Sequence, residues 1–166
     1  MSRRAQAGIN EGTPDEARAI LSRACGSTRW VDRMLRRRPF GNDARLLSAA
    51  RIEWFGLTEA DWLEAFSQHP RIGDRASLAA RFPATHDLAS TEQARVGGAD
   101  AELLAALAAA NQRYVERFGF IFIVCASGKT ADEMLALLQS RLPNDRAAEL
   151  RVAAEEQAKI TALRLS

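Results

Sequence analysis

The sequence predicts an all-α fold, a compact helical domain of about seven to nine helices with one buried irregular or extended segment near residues 118–126. Alanine dominates the composition and β-branched residues are sparse, which favours helix along most of the chain. Capping residues followed three positions later by an acidic or amide residue recur before apolar-periodic stretches. The 166 residues, 47% hydrophobic and 27% charged, fit one globular domain and exclude a disordered or fibrous chain.

The first four predicted helices each have a recognisable start. Thr13 precedes Pro14 and stands three residues before Glu16, which is the spacing of a capping box. In chain order, these helices should run from Pro14 to about Cys25, from about Thr28 to near Pro39, from Asn42 or Asp43 to near Gly56, and from Thr58 to His69. We expect residues 1–8 to be disordered and residues 9–166 to form the single domain.

The second half of the chain begins with a break in the helical pattern. Residues 71–89 mix glycine, proline and polar residues, which predicts a long connection with one short helix near Ser77–Phe82. Ser90 has the spacing of a helix cap and should open a helix that Gly97-Gly98 interrupts. The remaining predicted helices are Asp100–Arg117, Thr130–Leu142 and Asp145–Leu165.

An aromatic and β-branched segment stands out from this helical pattern. It runs from Phe118 to Ala126, and its composition predicts a buried extended or irregular stretch. Because a lone strand has no partner for its backbone amides, these groups must meet side chains, helix ends or a ligand. The segment is therefore a candidate for backbone recognition of a polar ligand.

Charge and cysteine content exclude several classes of protein. The 23 Lys and Arg residues nearly balance the 21 Asp and Glu residues, whereas a nucleic-acid binder normally carries a strong basic excess. Cys25 and Cys125 have no CxxC spacing, so neither a disulfide framework nor a zinc site is indicated. The longest apolar run is far shorter than the ~20 residues of a bilayer span, and no signal-peptide pattern follows Met1. We expect a soluble, cytoplasmic protein that binds neither nucleic acid nor membrane.

Three further patterns have ordinary structural explanations. Gly128-Lys-Thr130 is similar to the end of a phosphate loop, but Ile123 occupies the required upstream glycine position, so a turn and a helix cap are expected. The arginines of Arg33–Arg38 can touch phosphates, although a solvated helix face is the more common role of so short a run. His69 and His86 lack the helical spacing of a zinc pair, and no metal site is predicted.

His69 has two possible roles. It ends a predicted helix and precedes Pro70, so its ring should sit at the helix C-terminus, where the dipole favours the protonated form. Such a histidine is a candidate acid or base near neutral pH. The alternative is a capping histidine that only bonds local carbonyls, which is the more common role when this residue is considered alone.

Four motifs occur in order along the chain. They are His69-Pro-Arg-Ile-Gly-Asp74, Ser90-Thr-Glu-Gln93, Tyr114-Val-Glu-Arg-Phe-Gly-Phe-Ile-Phe122 and Ile160-Thr-Ala-Leu-Arg-Leu165. Their order and spacing resemble those of the 2-oxo-4-hydroxy-4-carboxy-5-ureidoimidazoline (OHCU) decarboxylase family. Arg38-Pro39-Phe40 and Trp54 are also similar to that family. The resemblance extends from about Ile9 to Leu165, which is nearly the whole chain.

The resemblance implies a cofactor-independent, all-helical carboxy-lyase that converts OHCU to (S)-allantoin in urate degradation. It also implies a homodimer with a small-molecule substrate and no metal. His69 would be the catalytic acid or base, acting with Glu92. The substrate-binding residues that it implies are Pro70, Ala89, Ser90, Gln93, Phe122, Ile123, Val124, Cys125, Ala126 and Arg164. Ala89 occupies the position of the family's serine, with Ser90 beside it. The alternative is a non-catalytic helical scaffold or interaction protein that retains the fold.

Overall fold

The computed structural model describes the backbone of residues 2–70 and 90–166 and the side chains of residues 5–70 and 101–166. Within these ranges the regular secondary structure is helical and contains no strand, which confirms the predicted all-α class. The helices are α1 (Ser2–Glu11), α2 (Pro14–Ala24), α3 (Thr28–Arg36), α4 (Asp43–Phe55), α5 (Glu59–Ser67), α6 (Ser90–Phe118), α7 (Ala131–Arg141) and α8 (Arg146–Leu165). None of these helices has the length and hydropathy that a membrane span requires. The short helix predicted near Ser77–Phe82 lies outside the described residues.

Most helix starts follow the predicted caps. The Thr13 hydroxyl accepts from the Glu16 N–H (3.3 Å), and the Glu16 carboxylate accepts from the Thr13 N–H (2.8 Å). Thr58 and Thr130 form the same reciprocal pair at the starts of α5 and α7. Each cap satisfies backbone donors that the first helical turn leaves without partners. The local sequence therefore predicts these helix starts correctly.

The predicted interruption at Gly97-Gly98 is wrong, because α6 is continuous from Ser90 to Phe118. A glycine inside a helix costs about 1 kcal/mol relative to alanine. The Ala- and Leu-rich run that follows the two glycines favours helix over several more turns. Two unfavourable residues therefore do not end the helix.

The N-terminus also differs from the expected disorder of residues 1–8, because Ser2–Glu11 form α1. The side-chain amides of Gln6 and Asn10 donate to the Phe40 carbonyl at 2.7 and 2.8 Å. Ile9 on the same helix is fully buried. These contacts come from residues about 30 positions away, so the sequence near the terminus does not reveal them.

Three arginines of Arg33–Arg38 contact neighbouring helices, and Arg36 and Arg37 are exposed to solvent, as the sequence predicts. Arg33 and Arg37 both pair with Glu53 of α4, at 3.4 and 2.5 Å. The Arg38 guanidinium donates to the carbonyls of Ile9 (3.0 Å) and Gly12 (3.2 Å) near the C-terminus of α1. Cations are favoured at that end of a helix. The run is therefore used in packing α3 against its neighbours.

The chain contains two compact units. The first unit consists of Met1–His69, Ile123–Cys125 and Leu150–Ser166. Its core contains two fully buried tryptophans whose indole N–H groups find backbone partners. Trp30 donates to the Ala50 carbonyl (3.0 Å), and Trp54 donates to the Ala154 carbonyl (2.9 Å). These bonds satisfy the polar atom of each large apolar ring.

The second unit consists of Pro70–Phe122 and Ala126–Glu149. Tyr114 is buried among Phe118, Phe120 and Phe122, with ring centroids 4.7–5.9 Å apart. Residues 119–126 have no helix or strand, which confirms the predicted irregular segment. Gly119 ends α6 with a φ of +79°, a conformation that favours glycine.

A buried ionic network lies in the second unit. The fully buried Glu149 carboxylate accepts from the Arg141 Nε (2.6 Å), from the Tyr114 hydroxyl and from the Asn144 amide (3.0 Å). The Arg141 guanidinium also lies over the Phe122 ring, 4.5 Å from its centroid. Burial raises the pKa of Tyr114, which therefore stays a hydroxyl donor.

Candidate active site

His69 lies at the C-terminal end of α5, where the chain leaves the helix. Its backbone N–H donates to the Phe66 carbonyl (3.1 Å), and Pro70 follows at once. Because proline disfavours helical conformation at the preceding residue, the local sequence ends the helix here. The His69 side chain is half-buried and the Pro70 side chain is exposed.

His69 forms part of the wall of a cavity of about 480 Å³ within the first compact unit. That volume lies in the range of small-molecule sites. The cavity is lined by the end of α2, the start of α3, the C-terminal end of α5 and the last turn of α8. The polar lining residues include Arg18, Arg23, Ser27, Thr28, Glu64 and Arg164. The cavity therefore offers both cationic and hydrogen-bonding groups to a polar ligand.

Arg164 is held at the cavity by the end of α2. Its Nη1 donates to the carbonyls of Arg23 (3.3 Å) and Ala24 (3.4 Å). The carbonyls in the last turn of a helix lack helical partners, so a cation is stabilised there. Leu165 beside it is buried, whereas Leu163 is 56% exposed.

Glu64 on the same cavity wall is engaged with the start of α3. The Thr28 hydroxyl donates to Glu64 Oε1 (2.6 Å), and the Thr28 backbone N–H donates to Oε2 (3.1 Å). A carboxylate is favoured at a helix N-terminus, where backbone donors lack helical partners. Glu64 thus has a structural role in holding α5 against α3.

Sequence reasoning missed the side chain that contacts the His69 ring. The His69 Nε2 lies 2.5 Å from the Oε1 of Gln157 in α8. Gln157 is fully buried, and its Nε2 donates to the Thr161 hydroxyl (3.2 Å). Two polar residues four positions apart on a buried helix face are the only local signal of such a contact.

Cys25 lines the cavity but is not a nucleophile at neutral pH. Its side chain is fully buried. Burial raises the pKa of the Cys25 thiol to about 11. Since the thiolate is the nucleophilic form of cysteine, the protonated thiol acts here as a small apolar group.

The irregular segment contributes to both units. In the first unit, the Cys125 N–H donates to the Glu156 carboxylate of α8 (2.8 Å). The backbone amides of an unpaired segment need hydrogen-bond partners, and the Glu156 carboxylate is one such side-chain partner. In the second unit, Phe122 is buried beside Tyr114, and the Ala126 carbonyl accepts from the Lys129 N–H (3.1 Å). Ile123 and Val124 are also buried.

Several predicted site residues fall outside what the structure describes. Ala89 lies in the undescribed range, and the backbones of Ser90, Glu92 and Gln93 belong to the first turn of α6. The side chains of these three residues lie outside the described residues, as does His86. Of the predicted residues with described side chains, His69 and Arg164 share one cavity wall.

Gly128 and Thr130 form the turn and the helix cap that the sequence predicts. Gly128 adopts a φ of +74°, and Thr130 caps α7. Across residues 5–70 and 101–166, no three His, Cys, Asp or Glu side chains cluster as metal ligands.

Comparison with known proteins identifies similar chains. The chain is 39% identical over 143 residues to the uric acid degradation bifunctional protein TTL of Arabidopsis thaliana, covering 86% of this chain and 44% of that protein. It is 28% identical over 138 residues to 2-oxo-4-hydroxy-4-carboxy-5-ureidoimidazoline decarboxylase of Haloferax volcanii, covering 82% and 79%. The chain thus spans less than half the length of the Arabidopsis relative.

A solved structure and a family profile give the same result. The crystal structure of an OHCU decarboxylase in the presence of (S)-allantoin superposes with a TM-score of 0.71 at 37% identity, covering 93% of this chain and 96% of that one. The sequence profile of the OHCU decarboxylase family matches residues 10–166. Since this match includes nearly the whole sequence, the chain belongs to the OHCU decarboxylase family.

Proposed function

We propose that the chain is a cofactor-independent decarboxylase that converts OHCU to (S)-allantoin in urate degradation. The observation that carries the proposal is the cavity of about 480 Å³ that has the His69 imidazole and the Arg164 guanidinium in its wall. Family membership supports the same reaction. An imidazole supplies proton transfer and a guanidinium binds anionic oxygens, the two functions that a decarboxylation of this substrate requires.

The reaction needs no external electron sink. The bond between the ring carbon and the carboxylate breaks, CO₂ leaves, and the conjugated imine and carbonyl of the ring take up the electron pair. Protonation from one face then gives a single enantiomer of allantoin. The protein must orient the carboxylate, stabilise the developing negative charge and deliver the proton. His69 with Glu92 would transfer the proton, and Arg164 would hold an anionic oxygen.

The remaining proposed contacts concern the substrate's polar edge. Gln93, Ser90 and the backbone of Phe122–Ala126 would bind the ring and the ureido group, and Pro70 would shape the pocket beside His69. Ala89 offers no hydroxyl at the family's serine position, so Ser90 would supply that contact. We further propose a cytoplasmic homodimer. Analytical ultracentrifugation of the full chain tests the dimer, and a monomer at micromolar concentration contradicts it.

Circular dichroism tests the proposed activity directly. OHCU is generated fresh and followed with and without the protein. Because uncatalysed decay gives both enantiomers, only stereospecific catalysis produces an optically active product. We expect a growing signal of (S)-allantoin whose initial rate is proportional to protein concentration. A folded protein that leaves the product optically inactive contradicts the proposal and favours a non-catalytic scaffold.

Glu92→Gln should reduce turnover with little change in melting temperature. The reason is that the amide cannot exchange a proton with His69 or the substrate, whereas it retains the size of the carboxylate. Steady-state kinetics and thermal unfolding of the same preparation provide the test. A slightly lower melting temperature with intact turnover would instead identify Glu92 as a residue of the helix N-terminus.

Arg164→Lys should lower kcat/KM by about tenfold or more, since charge-assisted hydrogen bonds contribute roughly 1.5–3 kcal/mol. Lysine keeps the charge but lacks the planar pair of donors that fits a carboxylate. Arg151→Lys is the matched control, because Arg151 is an exposed arginine of the same helix. Unchanged kinetics in the Arg164 variant would mean that Arg164 does not bind substrate and has only a structural role at the end of α2.

A further inference from the structure

We propose that Gln157 is a positioning residue that holds the neutral His69 imidazole in the tautomer with its proton on Nε2. Nδ1 then carries the basic lone pair, which takes up a proton from solvent and passes it to the ring carbon after CO₂ has left. This inference rests on the proposed function for its catalytic meaning. The tautomer itself follows from hydrogen bonds within the first compact unit.

Three side chains and one backbone carbonyl form a continuous series of hydrogen bonds. The His69 Nε2 lies 2.5 Å from the Gln157 Oε1, and the Gln157 Nε2 lies 3.2 Å from the Thr161 Oγ1. The Thr161 hydroxyl in turn donates to the Ala24 carbonyl at the end of α2 (3.4 Å). Gln157 is 0% exposed and Thr161 is 4% exposed. Water therefore does not compete strongly for these groups.

The direction of the series is set at its Ala24 end. A carbonyl only accepts hydrogen bonds, so the Thr161 hydroxyl uses its one hydrogen to reach Ala24. The Thr161 oxygen can then only accept a hydrogen bond from Gln157, so the NH₂ group of the Gln157 amide must face it.

This orientation of the Gln157 amide determines the state of the imidazole. With its NH₂ group facing Thr161, Gln157 presents its carbonyl oxygen to the His69 Nε2. A carbonyl oxygen requires a donor, so Nε2 carries the proton. In a neutral imidazole the other nitrogen, Nδ1, must then be the base. The reversed amide would place its carbonyl oxygen opposite the Thr161 oxygen, and because the Thr161 hydrogen is used at Ala24, that contact would have no donor.

A glutamine suits this role because it fixes the ring without adding charge. A carboxylate in the same place would favour the imidazolium and so compete with the substrate for the proton. The neutral amide fixes the orientation and the tautomer only, as a hydrogen-bond partner on the far ring nitrogen does for other functional histidines. Gln157 lies on the same helix as Arg164, so α8 would position two groups of the proposed site.

Nitrogen NMR tests the tautomer without reference to activity. The full chain is labelled with ¹⁵N-histidine, and since the sequence has two histidines, a His86→Asn variant assigns the His69 signals. Above the titration of the ring, we expect a protonated, pyrrole-like Nε2 and a pyridine-like Nδ1. A pyrrole-like Nδ1 in the wild-type chain overturns the proposal, whatever the kinetics show.

Kinetics of Gln157 variants test the positioning role. Gln157→Leu has similar volume and no acceptor, and should lower kcat by about tenfold, the scale of one lost hydrogen bond, with little change in KM. Gln157→Glu keeps an acceptor opposite Nε2, but its charge also favours the imidazolium, so it should retain more of the kcat than Gln157→Leu at the alkaline end of the pH profile. Glu155→Gln on the exposed face of α8 is the control and should leave kcat unchanged.

The outcomes separate the two proposals. Equal losses in both Gln157 variants across the whole pH profile, at unchanged melting temperature, would contradict the positioning role. If Gln157→Leu does not fold, the wild-type NMR spectrum and the Thr161→Val variant decide the question. Thr161→Val leaves the Gln157 amide without its acceptor, so the two His69 tautomers should mix. A wild-type protein with the expected tautomer and no OHCU turnover would contradict the proposed function alone.

Discussion

Replacing His69 with asparagine should lower kcat for OHCU decarboxylation at least ~10²-fold, the lower end of the contribution of general acid–base catalysis. Asparagine is polar and smaller, so the half-buried position at the end of α5 should tolerate it and the melting temperature should change little. Near-normal turnover by a folded His69→Asn protein would rule out proton transfer by this residue.

His86→Asn is the matched control for this experiment, since His86 is the other histidine of the chain. The resemblance to the family assigns no role to His86, so this variant should retain wild-type kinetics. If both variants lose activity equally, the loss reflects a general effect of removing histidine and not chemistry at His69.

Glu149→Gln should destabilise the protein by about 3–5 kcal/mol, the cost of removing one partner of a buried ion pair. The fully buried carboxylate faces the Arg141 guanidinium, which is 8% exposed and would lose its counter-charge. The free energy of unfolding in urea provides the measurement.

The matched control makes the same substitution on the same helix. Glu155 pairs with Arg51 at 3.0 Å, but both side chains are about half exposed. Glu155→Gln should therefore change the free energy of unfolding by only about 0–1 kcal/mol. Equal effects of the two substitutions would mean that burial of the Glu149 network contributes nothing to stability.

Some of the fold could be predicted because its causes are local. The caps at Thr13, Thr58 and Thr130 each involve a residue three positions away, so their hydrogen bonds are already visible as a pattern of residue types. His69-Pro70 likewise ends α5 through a clash between neighbouring residues. Local signals fail where their energies are small, as at Gly97-Gly98, where the surrounding helix propensity prevails.

The candidate site was predicted only in part. Family resemblance indicates His69 and Arg164, and the structure has both in one cavity wall. The family resemblance does not indicate Gln157 or Glu156, whose hydrogen-bond partners are 88 and 31 positions away in the chain. No spacing rule relates residues so far apart, because their proximity depends on how whole helices pack.

The sequence by itself determined the all-α class, most helix starts and the family of this protein, since each depends on residue types at short spacing or on the order of motifs along the chain. Only the tertiary structure decided which groups surround the His69 ring, which carbonyls hold Arg164 and which charge neutralises Arg141. The physical reason is that a polar group bonds whichever partner packing brings within about 3 Å, and that a buried one must do so. That partner is chosen by distance in space and not by distance along the chain.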